Sequence, residues 1–144
     1  MKEQFARLVD IIAKLRAEDG CPWDKEQTFQ SLKPYVLEEA YEVVQAIDNE
    51  DFEELKEELG DLLIQVIMQA QLAKEEGLFD IQDVLSYVSE KLTRRHPHVF
   101  GDLKFNNSQE VIAHWNAIKE KEKEVKLKHK SPKEQEVYVN QPDK

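Results

Sequence analysis

Apolar residues recur at helical spacing through most of the chain. Phe5, Leu8, Val9, Ile11, Ile12 and Leu15 form one such stripe, and Gly20 follows soon after it stops, which predicts a first helix. A second helix is predicted from about Ser31 to Asp48, with Pro34 in its first turn and Val36, Leu37, Ala40, Val43, Val44 and Ile47 on one face. The third runs from about Asp51 to Glu76. Asp51, Glu53 and Glu54 complement the positive end of its dipole, and Gly77 closes it. Asp80 and Asp83 open a fourth, carrying Val84, Leu85, Val88 and Leu92, with Arg94 and Arg95 near its negative end and Pro97 as its stop. Asn107 with Glu110 has the form of a capping box, and Val111, Ile112, Trp115 and Ile118 continue a fifth stripe. Between the first two helices, Asp19 to Asp24 combines turn formers with Trp23 and is expected to be an ordered loop in which the indole packs or stacks. No run of strands and no internal repeat is visible, so the expected class is all-α, a helical bundle.

Two stretches depart from ordinary amphipathic patterning. Leu62 to Met68 on the third helix leaves almost no polar face, which implies burial on opposite sides at once. A subunit interface is the simplest cover, with Gly60 permitting close approach; a central helix enclosed within one monomer is the alternative. Beyond Ile118, charges alternate with few apolar residues, so residues 1–120 are expected to form the domain and 121–144 a charged, frayed tail.

Composition narrows the partners. A chain of 144 residues with 40% hydrophobic content suffices for one domain with a real core. Its formal charge of -10 opposes non-specific attraction to nucleic acid or anionic membrane, and any phosphate ligand would need a local cation. Cys21 is the only cysteine, which excludes an intrachain disulfide and is compatible with a reducing compartment. Nothing in the first residues has the form of a signal peptide or a membrane span, and the expected location is the cytoplasm.

Acidic residues carry the candidate chemistry. Glu38-Glu39-Ala40-Tyr41-Glu42 and Glu58-Leu59-Gly60-Asp61 each place two acids at i, i+3, which makes Glu39 a neighbour of Glu42, and Glu58 of Asp61. If the two helices pack antiparallel after the short Asp48 to Glu50 connection, both pairs lie mid-helix and face one another. Like charges about 5 Å apart at an effective dielectric of about 20 repel by roughly 3 kcal/mol, so such a cluster calls for a cation or for protonation. All-oxygen ligation suits Mg²⁺ or Mn²⁺, whereas Zn²⁺ more often recruits His or Cys. A di-iron bundle would show Glu-x-x-His, and the residues three before His96, His98, His114 and His129 are Thr93, Arg95, Val111 and Lys126. Spacing alone leaves a second reading open: among 30 acidic residues, such pairs also arise on solvated faces.

Glu38-Glu39-x-x-Glu42, fifteen intervening residues and Glu58-x-x-Asp61 together resemble the signature of the MazG-type nucleoside triphosphate pyrophosphohydrolases. The resemblance covers roughly residues 4 to 120 and extends to Cys21-Pro22-Trp23-Asp24, Gln27-Thr28 and the run Arg94-Arg95-His96-Pro97-His98-Val99-Phe100. It implies four-helix cores assembled from dimers, Mg²⁺ dependence, and cleavage of a triphosphate to the monophosphate and pyrophosphate. By position it implies Glu39, Glu42, Glu58 and Asp61 as metal ligands and Glu38 as the acid that orients or deprotonates water. It also implies Lys91, Arg95, Trp115 and Lys119 around the nucleotide. Each has a plainer reading: the cations as surface charges, Trp115 as core, Arg94, His96 and His98 as braces of the fourth helix and the loop after it, Trp23 and Asp24 as a structural corner. Two functional alternatives stand beside this one. One is a narrower relative acting on dUTP, dCTP or phosphoribosyl-ATP; the other is a non-catalytic helical dimerisation module.

Overall fold

A computed structural model describes residues 1–130. The described residues contain seven helices and no strand: α1 (Lys2–Arg16), α2 (Pro22–Glu26), α3 (Lys33–Asp48), α4 (Phe52–Glu75), α5 (Ile81–Arg95), α6 (Pro97–Phe100) and α7 (Ser108–Lys128). The chain is all-α, as its periodicity requires. It divides into two compact units, Met1–Ser86 and the residues from Tyr87 onward.

The first unit is built on the pairing of α3 with α4, with α1 packed against α4 and α2 against α1. Ile12 of α1, Leu32 just before α3, and Ile67, Met68 and Leu72 of α4 form its buried centre, flanked by Phe5, Leu8, Val9, Phe29, Tyr35, Ile64 and Ile81. Local chemistry sets the ends of these helices. The turn between α3 and α4 places Glu50 at φ 54°, and Asp51 then accepts a hydrogen bond from the Glu54 amide at 3.1 Å. At the far end of α4, Gly77 takes φ 68°, its amide reaches the Lys74 carbonyl and the Leu78 amide reaches that of Ala73, the paired bonds of a Schellman motif.

Two expectations about this unit change. Pro22 opens a short helix where a loop was expected, because a residue at the first helical position needs no N–H and proline's φ is already helical. α3 begins at Lys33 and not at Ser31: the Thr28 amide donates to Ser31 Oγ at 2.9 Å and the Ser31 amide to Thr28 Oγ1 at 3.1 Å, so these hydroxyls hold a turn of their own.

The patterning of α4 is resolved unevenly. Ile67, Met68, Ala70, Leu72 and Ala73 are buried, whereas Leu59, Leu63 and Val66 stay 50%, 37% and 44% exposed. One side of the helix is therefore covered within the chain, and the other is not.

In the second unit, α7 corrects the expected start of the tail. It continues through Lys128, and Glu122 accepts hydrogen bonds from Arg94 and Arg95 of α5, so 121–128 are helical and engaged. The expectation for 131–144 falls outside the described residues. Asn107 caps α7 by accepting from the Glu110 amide at 3.0 Å, and Glu110 answers at the Asn106 amide, one residue earlier than in the usual box. No helix among the described residues is long and apolar enough to cross a membrane.

Candidate active site

The α3–α4 hairpin turns at Asn49–Asp51, leaving Glu39 and Asp61, and likewise Glu42 and Glu58, equally far along the chain from the bend on opposite arms. Antiparallel pairing then brings the two acidic segments together. Carboxylate oxygens of Glu39, Glu58 and Asp61 all lie within 4.8 Å of one another, on partly buried side chains. Glu42, also partly buried, acts by its charge on both Glu39 and Glu58. The remaining acid, Glu38, is exposed and adds a smaller charge effect on Glu39.

Electrostatics record this crowding. The Glu39 carboxyl is raised from its ordinary value of 4.5 by loss of hydration, then by the Asp61 charge, then by Glu42 and by the charge of Glu38. Glu58 is raised as well, first by loss of hydration and then by the charges of Glu42, Asp61, Glu57 and Glu54. Both shifts disfavour the ionised carboxylate, first by lost hydration and then by the negative charge already present. A divalent cation would reverse that penalty, and an all-carboxylate donor set suits a hard ion. The residues fit such an ion.

The other residues singled out in the sequence fall into two groups. Within the second unit, the Arg95 guanidinium lies 5.2 Å from the Trp115 ring centroid, and Lys91 Nζ lies 5.8 Å from that of Tyr87. Lys119 sits one turn after Trp115 on α7 and is partly buried. Trp115 also meets His96 in a T-shaped contact at 4.9 Å, and a line of rings continues through His98, Phe105 and His114. His96 Nδ1 lies 2.7 Å from the Leu92 carbonyl, so this histidine braces the end of α5. Within the first unit, Trp23 is 51% exposed and meets Tyr35 edge-on at 5.9 Å.

A further anchor gave no sequence signal. Arg16, its side chain only 7% exposed, forms an ion pair with Glu75 at 2.7 Å and donates to the carbonyls of Asp24 and Gln27. Gln27 is itself buried, donating to the Trp23 carbonyl and accepting from Ser31 Oγ. These bonds fix the α2 corner to α1 and α4. A lone arginine closing a helix looks like a dipole partner, and its reach to Glu75, far along the chain, follows only from the packing of α1 on α4.

An all-α protein whose antiparallel hairpin gathers carboxylates able to hold a divalent cation is the class that fold and site define. Residues 27–100, just over half of the chain, match the model of the MazG nucleotide pyrophosphohydrolase domain, and the chain belongs to that family. The matched region contains all five acids together with Lys91 and Arg95, and it ends before Trp115 and Lys119. The chain is 55% identical over 127 residues to a nucleoside triphosphate pyrophosphohydrolase of Escherichia coli, covering 88% of this chain and 48% of that protein. It is 50% identical over 119 residues to the nucleoside triphosphate pyrophosphohydrolase/pyrophosphatase MazG of Thermotoga maritima, covering 83% of this chain and 45% of the relative. It is 38% identical over 120 residues to a nucleoside triphosphate pyrophosphohydrolase of Mycobacterium tuberculosis, 81% and 37% of the two chains. The chain thus spans about half the length of the E. coli and T. maritima relatives and less of the third.

Proposed function

We propose that this chain hydrolyses nucleoside triphosphates to the monophosphate and pyrophosphate with Mg²⁺ as its ion and Mn²⁺ as a substitute, acting in the cytoplasm to cleanse the nucleotide pool. The observation that carries the reading is the convergence of Glu39, Glu58 and Asp61 within 4.8 Å, with the charge of Glu42 acting on Glu39 and Glu58. Carboxylates this close repel one another, and a bound cation relieves that repulsion. Family membership and the names of the relatives supply the substrate class.

In this reading Glu39, Glu42, Glu58 and Asp61 hold the ion, which when bound neutralises charge that grows on the phosphate oxygens. Glu38, exposed beside the cluster, takes the proton from the attacking water. Lys91, Arg95 and Lys119 hold the remaining phosphate charge, supplying the local cations that a protein of net charge -10 requires. Trp115 stacks on the base or packs beside the sugar. The functional unit is a homodimer in which the exposed Leu59, Leu63 and Val66 of α4 are covered by a second copy, completing a four-helix core.

The test is a panel of common and modified nucleoside triphosphates assayed for pyrophosphate with and without Mg²⁺. Metal-dependent release from one or more of them is expected. Absence of turnover across the panel from folded protein would leave a non-catalytic helical module in its place.

A further inference from the structure

Arg95 is held more tightly than a surface cation needs to be. Its side chain is 11% exposed, its guanidinium lies over Trp115, and its Nη2 donates to Glu122 Oε2 at 2.5 Å. Its Nε is buried and has no hydrogen-bond partner. The other oxygen of Glu122 accepts from Arg94 Nε at 2.9 Å and Arg94 Nη2 at 2.6 Å. One carboxylate, itself 20% exposed, thus bridges two consecutive arginines at the end of α5.

The spacing on α7 gives this bridge a direction. Trp115, Lys119 and Glu122 stand at i, i+4 and i+7, so they share one face of the helix. A single helical face therefore presents the ring under Arg95, a lysine, and the acid that fixes Arg95. Two adjacent guanidinium groups repel, and a cation so little exposed would otherwise swing toward water. Charge-assisted bonds to one carboxylate remove both tendencies. The cost is visible at Nε, because a buried N–H without an acceptor is unfavourable unless something else satisfies it.

We propose that Glu122 is a positioning residue for substrate binding: it pins the Arg95 guanidinium across Trp115, in the orientation from which that group meets a phosphate of the nucleotide. This inference rests on the assignment of Arg95 to the substrate phosphates. Glu122 touches no reacting atom and acts through Arg95. Its own carboxyl is held below the ordinary value of 4.5, chiefly by the hydrogen bond from Arg95, so it stays ionised at neutral pH.

The experiment is a double-mutant cycle on the full chain with Glu122→Gln and Arg95→Ala, reading kcat and KM for a triphosphate substrate and the Kd for inorganic triphosphate. Glu122→Asp is a second variant that keeps the charge, and thermal unfolding of each variant reports the fold. Glu122→Gln is expected to raise KM and Kd by about tenfold with kcat nearly unchanged, the pattern of lost ground-state binding. It is expected to add nothing in the Arg95→Ala background, while Glu122→Asp recovers part of the affinity. If Arg95→Ala weakens binding while Glu122→Gln does not, or if the two factors multiply in full, the positioning role is wrong and the assignment of Arg95 survives. If Arg95→Ala changes neither KM nor Kd, the assignment itself fails and the role of Glu122 falls with it. Weakened triphosphate binding in a protein that shows no turnover would separate loss of the catalytic reading from loss of this one.

Discussion

A carboxyl group that loses hydration and gains acidic neighbours binds its proton more tightly, and both happen to Glu39 and Glu58. For groups raised in the folded state, the stabilising contribution is complete below the unfolded value, near 4.5, and is lost as pH rises through the higher folded values. Without a divalent ion, raising the pH from about 4.5 to neutrality should therefore cost the wild type more thermal stability than a Glu39→Gln/Glu58→Gln variant. Added Mg²⁺ should close that gap, and parallel melting profiles with and without the ion would contradict it. Glu75 works in the opposite sense: the hydrogen bond from Arg16 holds its carboxyl below 4.5, so its contribution is present above that value and lost as pH falls through the depressed one. Removing Arg16 also takes the side-chain donor from the Gln27 carbonyl and one of two donors from that of Asp24. Arg16→Ala should cost about 2 kcal/mol or more in urea unfolding, on the scale of hydrogen bonds to charged groups; a loss under about 0.5 kcal/mol, the range of ordinary surface substitutions, would contradict that anchor. That Glu39, Glu58 and Asp61 converge could be expected from the sequence, because i, i+3 spacing and the short α3–α4 turn are local. Arg16–Glu75 and the grip of Glu122 on Arg95 could not be, since each depends on two helices meeting.

Among the elements, the helices with sustained periodicity were legible almost to their ends. α4 was expected from Asp51 to Glu76 and runs from Phe52 to Glu75, because Asp51 and Gly77 are caps whose chemistry is local. Gly77 at φ 68° has open space where a Cβ would stand, so Gly77→Ala tests backbone conformation alone. It should destabilise by about 1 kcal/mol in urea unfolding, the cost of a left-handed alanine, and an unchanged midpoint would contradict the cap. Short elements were less legible. α2 has only five residues and lacks a stripe, so nothing but Pro22 marked it. The end of α7 was hidden for a different reason: its charge alternation suggested fraying, whereas Glu122 and Lys126 find partners in Arg94, Arg95 and Tyr87.

For the whole molecule, the uncovered side of α4 bears on assembly. Leu59, Leu63 and Val66 lie beside and just beyond the acids Glu58 and Asp61, so a subunit interface there would also exclude water from one flank of the site. Leu63→Glu should convert the proposed homodimer to monomer in sedimentation and lower pyrophosphate release with it; an unchanged sedimentation coefficient for a dimeric wild type would move the interface elsewhere. The apolar run at Leu62 to Met68 made this face visible in the sequence, but which half of the helix the chain covers itself depended on where α1 packs. Mg²⁺-dependent pyrophosphate release by Asp61→Ala, compared with wild type at equal folded concentration, is the most direct test of a cation held between α3 and α4. A fall of the order of 100-fold, the scale of losing one preorganised electrostatic contact, is expected, with unfolding no longer responsive to Mg²⁺. Wild-type turnover with the same Mg²⁺ dependence would contradict the account.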